Sequence, residues 1–93
     1  MSSWLIPGNI NSISEILASW VKEIYPQLKP YDNLIKSTPA FQEIIAEIKT
    51  ENTGNKLGFI SIPEKYHSRK EIIDTFVNEI QQKLVELDTA HKK

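Results

Sequence analysis

The chain has no cysteine, so disulfides, thiolate zinc sites, iron–sulfur clusters and cysteine nucleophiles are excluded by composition alone. It is also without charge at its start: the first ionisable side chain is Glu15. A secretory signal needs a basic start and an unbroken apolar centre. Here Pro7, Gly8, Asn9 and Asn11 interrupt the opening stretch, and no Lys or Arg precedes it. No apolar run approaches the roughly 20 residues that span a bilayer, and no Asn-x-Ser/Thr sequon occurs. Neither sign of charge dominates. Eleven Lys and Arg against twelve Asp and Glu leave a net charge of −1 and a pI near 6.1. Broad attraction to nucleic acid or to an anionic membrane comes from neutralising many phosphates, and this balance argues against both. The expectation is a soluble cytoplasmic protein with no membrane association.

What is present is ordinary for one domain: 93 residues, 40% hydrophobic and 25% charged. A chain of this length buries about two-thirds of its unfolded surface, which leaves room for one core. There are no repeats and no internal boundary. A single helical domain over 1–93 is expected, with a frayed tail at 89–93, and an enzyme with an interdomain cleft is excluded.

Apolar spacing predicts a small helical bundle. Ser12 and Glu15 form a capping pair, followed by Ile13, Ile16, Leu17, Trp20, Val21 and Ile24 on one face. Tyr25-Pro26 ends that helix, because proline lacks an amide donor and restricts the residue before it. Residues 26–32 read as a rigid turn, and Asp32 caps a short helical piece that stops at Ser37. Thr38-Pro39 opens a third helix, with Phe41, Ile44, Ile45 and Ile48 at i, i+3, i+4 and i+7. The competing reading of 41–51 is the first arm of a hairpin, but Gln42, Glu43, Ala46, Glu47 and Lys49 favour helix. Ser68 and Glu71 repeat the capping pair ahead of a long helix whose stripe is Ile72, Ile73, Phe76, Val77, Ile80, Leu84 and Leu87. The predicted helices are 12–25, 39–52 and 68–90, with a minor extended element at 57–62.

A lone strand leaves a row of orphaned amides and carbonyls, so 57–62 needs an explanation. It can pair with Trp4-Leu5-Ile6-Pro7, pair with its counterpart in a second molecule, or lie extended on the helices with its polar groups in water. The first option decides a further question. Trp4, Leu5 and Ile6 are either an exposed patch of the kind found at interfaces or a lid packed over the bundle.

The motif most suggestive of chemistry is Lys65, Tyr66, His67, Arg69 and Lys70 around the start of the last helix. Free amides and a partial positive charge at a helix start attract anions, so these residues are candidates for holding a phosphate, a carboxylate or an acidic surface. The plainer reading is a capped helix with solvated basic side chains. His67 and His91 are the only histidines, too few for a metal site in the absence of cysteine, and no cofactor is expected. Glu43 and Glu47 share a helix face, but nothing apolar marks a pocket to shift their pKa values. Gly54-Asn55-Lys56-Leu57-Gly58 lacks the glycine spacing and Lys-Ser/Thr ending of a phosphate-binding loop.

No catalytic constellation emerges. The stripe of the last helix outruns two partner helices of about 13 residues, given the helical rise, which leaves Leu84 and Leu87 to bury against another chain. The expected function is therefore a small non-catalytic interaction or regulatory module: a subunit, adaptor, inhibitor or immunity-type protein. Its partner would be another protein or a second copy, with Trp4, Leu5, Ile6, Leu84 and Leu87 as contact candidates. The alternative is a winged-helix-like DNA-binding protein, with the third helix in the major groove, Glu51 to Ile62 as the wing and the last helix as dimer contact. Gln42, Glu43, Glu47 and Lys49 would then meet the phosphates, a poor charge match. A small enzyme with its site at a dimer interface is a third class, which nothing in the sequence suggests.

Overall fold

The computed structural model describes residues 4–54 and 58–91, the side chains of Trp4 and of residues 89–91 excepted. Among the described residues there are four helices: α1 (Ile13–Ile24), α2 (Asp32–Ser37), α3 (Pro39–Glu51) and α4 (Arg69–His91). Two strands, β1 (Trp4–Pro7) and β2 (Phe59–Ile62), and two 3₁₀ turns, at Ile10–Ser12 and Pro26–Tyr31, complete the fold. The protein is thus mainly helical with a minor two-stranded element.

The entry to α1 differs from the capping pair expected there. Ser12 makes no side-chain cap, because residues 10–12 are already wound as 3₁₀ turn and Ser12 sits at φ −98°, ψ 5° rather than in the extended region. Asn9 caps instead, its side-chain oxygen accepting the Asn11 amide at 2.9 Å. Glu15, released from that role, pairs with Lys36 of α2. The rigid turn expected at 26–32 is the second 3₁₀ turn, which carries both prolines and buries Leu28.

Residues 41–51 are helical, with Phe41, Ile44, Ile45 and Ile48 all buried. Pro39 stands in the first turn, where its missing donor costs nothing. Thr38 does not cap α3; its hydroxyl donates to the Ile35 carbonyl at 3.0 Å. At α4 the capping residue is the expected one, with Ser68 Oγ accepting the Glu71 amide at 3.2 Å. Both α1 and α3 lie against α4. Ile72, Ile73, Phe76, Val77 and Ile80 of α4 and Leu17, Trp20 and Val21 of α1 are core. Phe41 and Phe76 meet edge to face with centroids 5.1 Å apart at 88°, a geometry that sets the ring edge of one against the π face of the other.

The strand question is answered within the chain. β1 and β2 are antiparallel, with Trp4 opposite Ile62, Leu5 opposite Ser61, Ile6 opposite Ile60 and Pro7 opposite Phe59. Gly8 extends the ladder, donating to the Gly58 carbonyl at 2.9 Å. Ile6, Ile60 and Ile62 face the core. The strand begins at Phe59, and Leu57 lies outside the described residues. The partner of β2 therefore comes from the N-terminus and not from the end of α3.

The far edge of β2 is closed by a side chain. Asn52, 3% exposed, donates to the Ser61 carbonyl at 2.9 Å and to the Ile48 carbonyl at 2.8 Å. Its oxygen accepts the Ser61 amide at 2.8 Å. One amide thus stands in for a third strand while ending α3, which meets the need to pair every buried backbone group.

Candidate interaction surface

The basic residues around the start of α4 do not converge on one point. Lys65 pairs with Glu47 of α3, and Tyr66 donates to the same carboxylate at 2.8 Å. Lys65 holds the Glu47 carboxyl below its usual range, with Tyr66 adding to the effect against the opposing pull of burial. Burial pushes the Tyr66 hydroxyl up, and the bond to Glu47 reinforces it. Arg69 turns to α1, 3.2 Å from Glu23 and 5.8 Å from the Trp20 ring centroid, a cation–π distance. Lys70 binds Asp74 along its own helix at 2.9 Å, which raises its pKa. His67 is exposed. Three cations thus point three ways, each toward a carboxylate of the same chain, and an arriving anion must compete with all of them.

The N-terminal trio divides. Leu5 is 61% exposed, whereas Ile6 is 8% exposed and part of the core, which removes it from the contact candidates. The alternation of a strand with one buried face dictates this split. The Trp4 side chain lies outside the described residues. Phe59, on the outward face of the ribbon near Leu5, is 50% exposed.

The α4 candidates divide in the same way. Leu84 is half-buried and packs on the core, whereas Leu87 is 54% exposed. Leu84 lies one turn beyond Ile80, the last buried residue of the stripe, and Leu87 one turn further. Val85 is 64% exposed, off the stripe and beside a shallow groove of about 480 Å³ along Asn78, Gln81 and Gln82. Stripe reasoning missed Val85, because its signal was a residue out of phase with the core pattern.

Glu43 and Glu47 line a cleft of about 300 Å³ with Ile44, Tyr66 and Thr75. Glu47, held ionised by Lys65 and Tyr66, is a poor proton acceptor. Among the described residues no group of His, Cys, Asp and Glu is placed to hold a metal ion, and no helix is long and apolar enough to cross a membrane. Lys56 and His91, neither of them a site candidate in the sequence, fall outside what is described, Lys56 entirely and His91 in its side chain. No protein-family model matches the chain, and neither a curated protein nor a solved structure matches it.

Proposed function

We propose that this chain is a small non-catalytic interaction or regulatory module that engages another protein through the projecting apolar end of α4. The observation that supports this is a mismatch of lengths. The 23 residues of α4 rise about 34 Å, while the 12 and 13 residues of α1 and α3 rise only about 18 and 20 Å. Two shorter helices leave the last turns of the longer one uncovered, and those turns carry Leu87 in phase with the core stripe. A single exposed leucine is common on protein surfaces. An exposed continuation of the core stripe on a helix that outruns its partners is the arrangement of a helix face awaiting a groove or a second helix. Exposed Leu5 and Phe59 on the ribbon offer a second apolar patch.

The test compares tagged wild-type chain with Leu87→Asp in crosslinking capture from the native host. The expected result is a captured protein that the variant loses. Retention of every captured protein by the variant overturns the proposal.

A further inference from the structure

Independently of the α4 end, we propose that the free edge of β1 pairs with the same edge of a second copy, antiparallel about a two-fold axis at Leu5. The ladder settles which backbone groups face that edge. Along an antiparallel strand, successive residues turn their amide and carbonyl first to one neighbour and then to the other. Ser61, opposite Leu5, gives both of its backbone groups to Asn52 at the far edge of β2. The Leu5 amide and carbonyl therefore point away from β2, out of the sheet. Pro7 is in the same phase, so the donor that proline lacks is one the β1–β2 ladder does not use. Gly8, in the opposite phase, donates to the Gly58 carbonyl. Leu5 and Pro7 are both exposed, and no described residue takes up the outward backbone groups of Leu5.

This edge is its own complement. With Leu5 opposite Leu5, each amide donates to the carbonyl of the other copy, and one residue supplies both bonds of the pair. Sliding the copies by two residues sets Leu5 against Pro7 and leaves each Leu5 carbonyl facing a nitrogen without a proton. Charge complementarity also fits a second copy. Edge strands are commonly guarded by lysine or another charge, but no ionisable side chain precedes Glu15 and none lies in 58–63. Two like copies thus meet without repulsion, and a charged foreign strand finds no counter-charge. On the outward face Leu5, 61% exposed, comes to lie beside Leu5 of the second copy. Asn52 already plugs the far edge of β2, so the joined sheet ends at four strands and association stops at two chains. One short strand a side buries less than the about 800 Å² per partner of a standard interface. The dimer is accordingly weak and dependent on concentration.

Sedimentation equilibrium of the full chain, from low micromolar to near-millimolar concentration, tests this directly. The wild-type mass should rise from 10.7 kDa toward twice that value. Leu5→Pro removes the outward donor and spares the β1–β2 ladder, so it should stay at the monomer mass. Leu5→Lys and Leu5→Glu should each stay monomeric alone, because the two-fold axis sets like charge against like. Their equimolar mixture should regain the dimer, since position 5 of one copy faces position 5 of the other. Unchanged far-UV circular dichroism confirms folding, and the Lys and Glu mixture decides the matter should Leu5→Pro disturb the strand. Leu87→Asp, on α4, should dimerise as the wild type does. A wild-type chain that remains monomeric overturns the inference. So does a dimer that folded Leu5→Pro retains, a mixture that stays monomeric, or a dimer that Leu87→Asp abolishes. Loss of a different captured protein by Leu87→Asp bears on the α4 end alone, so the two proposals stand or fall separately.

Discussion

Replacing Asn52 with alanine removes three hydrogen bonds at once, two donated to the Ile48 and Ser61 carbonyls and one accepted from the Ser61 amide. The side chain is 3% exposed and the Ser61 backbone is only half-buried, so water replaces some of these partners but not all. Leaving a buried donor or acceptor unpaired costs about 1–3 kcal/mol. Counting one of the three groups as fully orphaned and the others as partly rehydrated, the expected loss is about 3 kcal/mol. For a domain of this size each kcal/mol moves Tm by about 4–8 °C, so the midpoint should fall by about 12–24 °C. Urea unfolding followed by far-UV circular dichroism gives the same quantity at constant temperature. Thr53→Ala is the control: Thr53 is exposed and bonds only to carbonyls of the preceding turn, so its loss should stay within about 0.5 kcal/mol. Asn52→Asp adds a pH signature. Its carboxylate would face two carbonyl oxygens, which raises the folded-state pKa above the unfolded value of about 3.9. Stability relative to wild type should then recover as pH falls and the carboxyl regains a proton to donate. A loss below about 1 kcal/mol for Asn52→Ala refutes the idea that this amide closes the β2 edge.

Gly8 sits at φ +145°, and a Cβ there would lie 2.8 Å from Ile16 Cδ1; Gly58 sits at φ +77° with nothing within 4 Å of such a Cβ. Gly8→Ala should therefore cost about 2–3 kcal/mol and Gly58→Ala about 1 kcal/mol in chemical denaturation. Phe76→Ala, at the edge-to-face contact with Phe41, should cost about 3–5 kcal/mol by the same measurement. The Asp32 carboxyl is held below its usual range by Lys22 and then Lys36, as Glu47 is by Lys65 and then Tyr66. A depressed carboxylate contributes stability above its unfolded pKa, about 3.9 for Asp and 4.3 for Glu, and loses it as pH falls through the lower folded value. The fall of Tm from neutral pH to about pH 3 should thus be shallower in Asp32→Asn and Glu47→Gln than in wild type, with a small effect at these part-exposed, solvent-screened pairs.

Much of the helical frame is legible in the chain because its causes are local. The spacing of Phe41, Ile44, Ile45 and Ile48, the proline at position 39 and the run of helix formers between them suffice to place α3. Ser68, whose hydroxyl reaches an amide three residues on, suffices for the start of α4. Trp20 is core because it lies in phase with Leu17 and Val21. Ser12 shows where local reasoning stops: the capping pattern is present, but the chain ahead of it is already wound from Asn9, and Lys36 of another helix takes Glu15.

The sequence by itself determined the helices, their apolar faces and an α4 stripe longer than its neighbours can cover, because periodicity and capping act within a turn or two of chain. Only the tertiary structure decided that β2 finds its partner in β1, that Asn52 plugs the remaining edge, and that Leu5 and Leu87 face water while Ile6 and Leu84 turn inward. Tertiary packing likewise dispersed the basic residues at the start of α4, giving Lys65 to Glu47, Arg69 to Glu23 and Lys70 to Asp74. Strand pairing, edge closure and exposure depend on groups far apart in the chain meeting in space, and no local pattern encodes which distant carbonyl or carboxylate will be within reach.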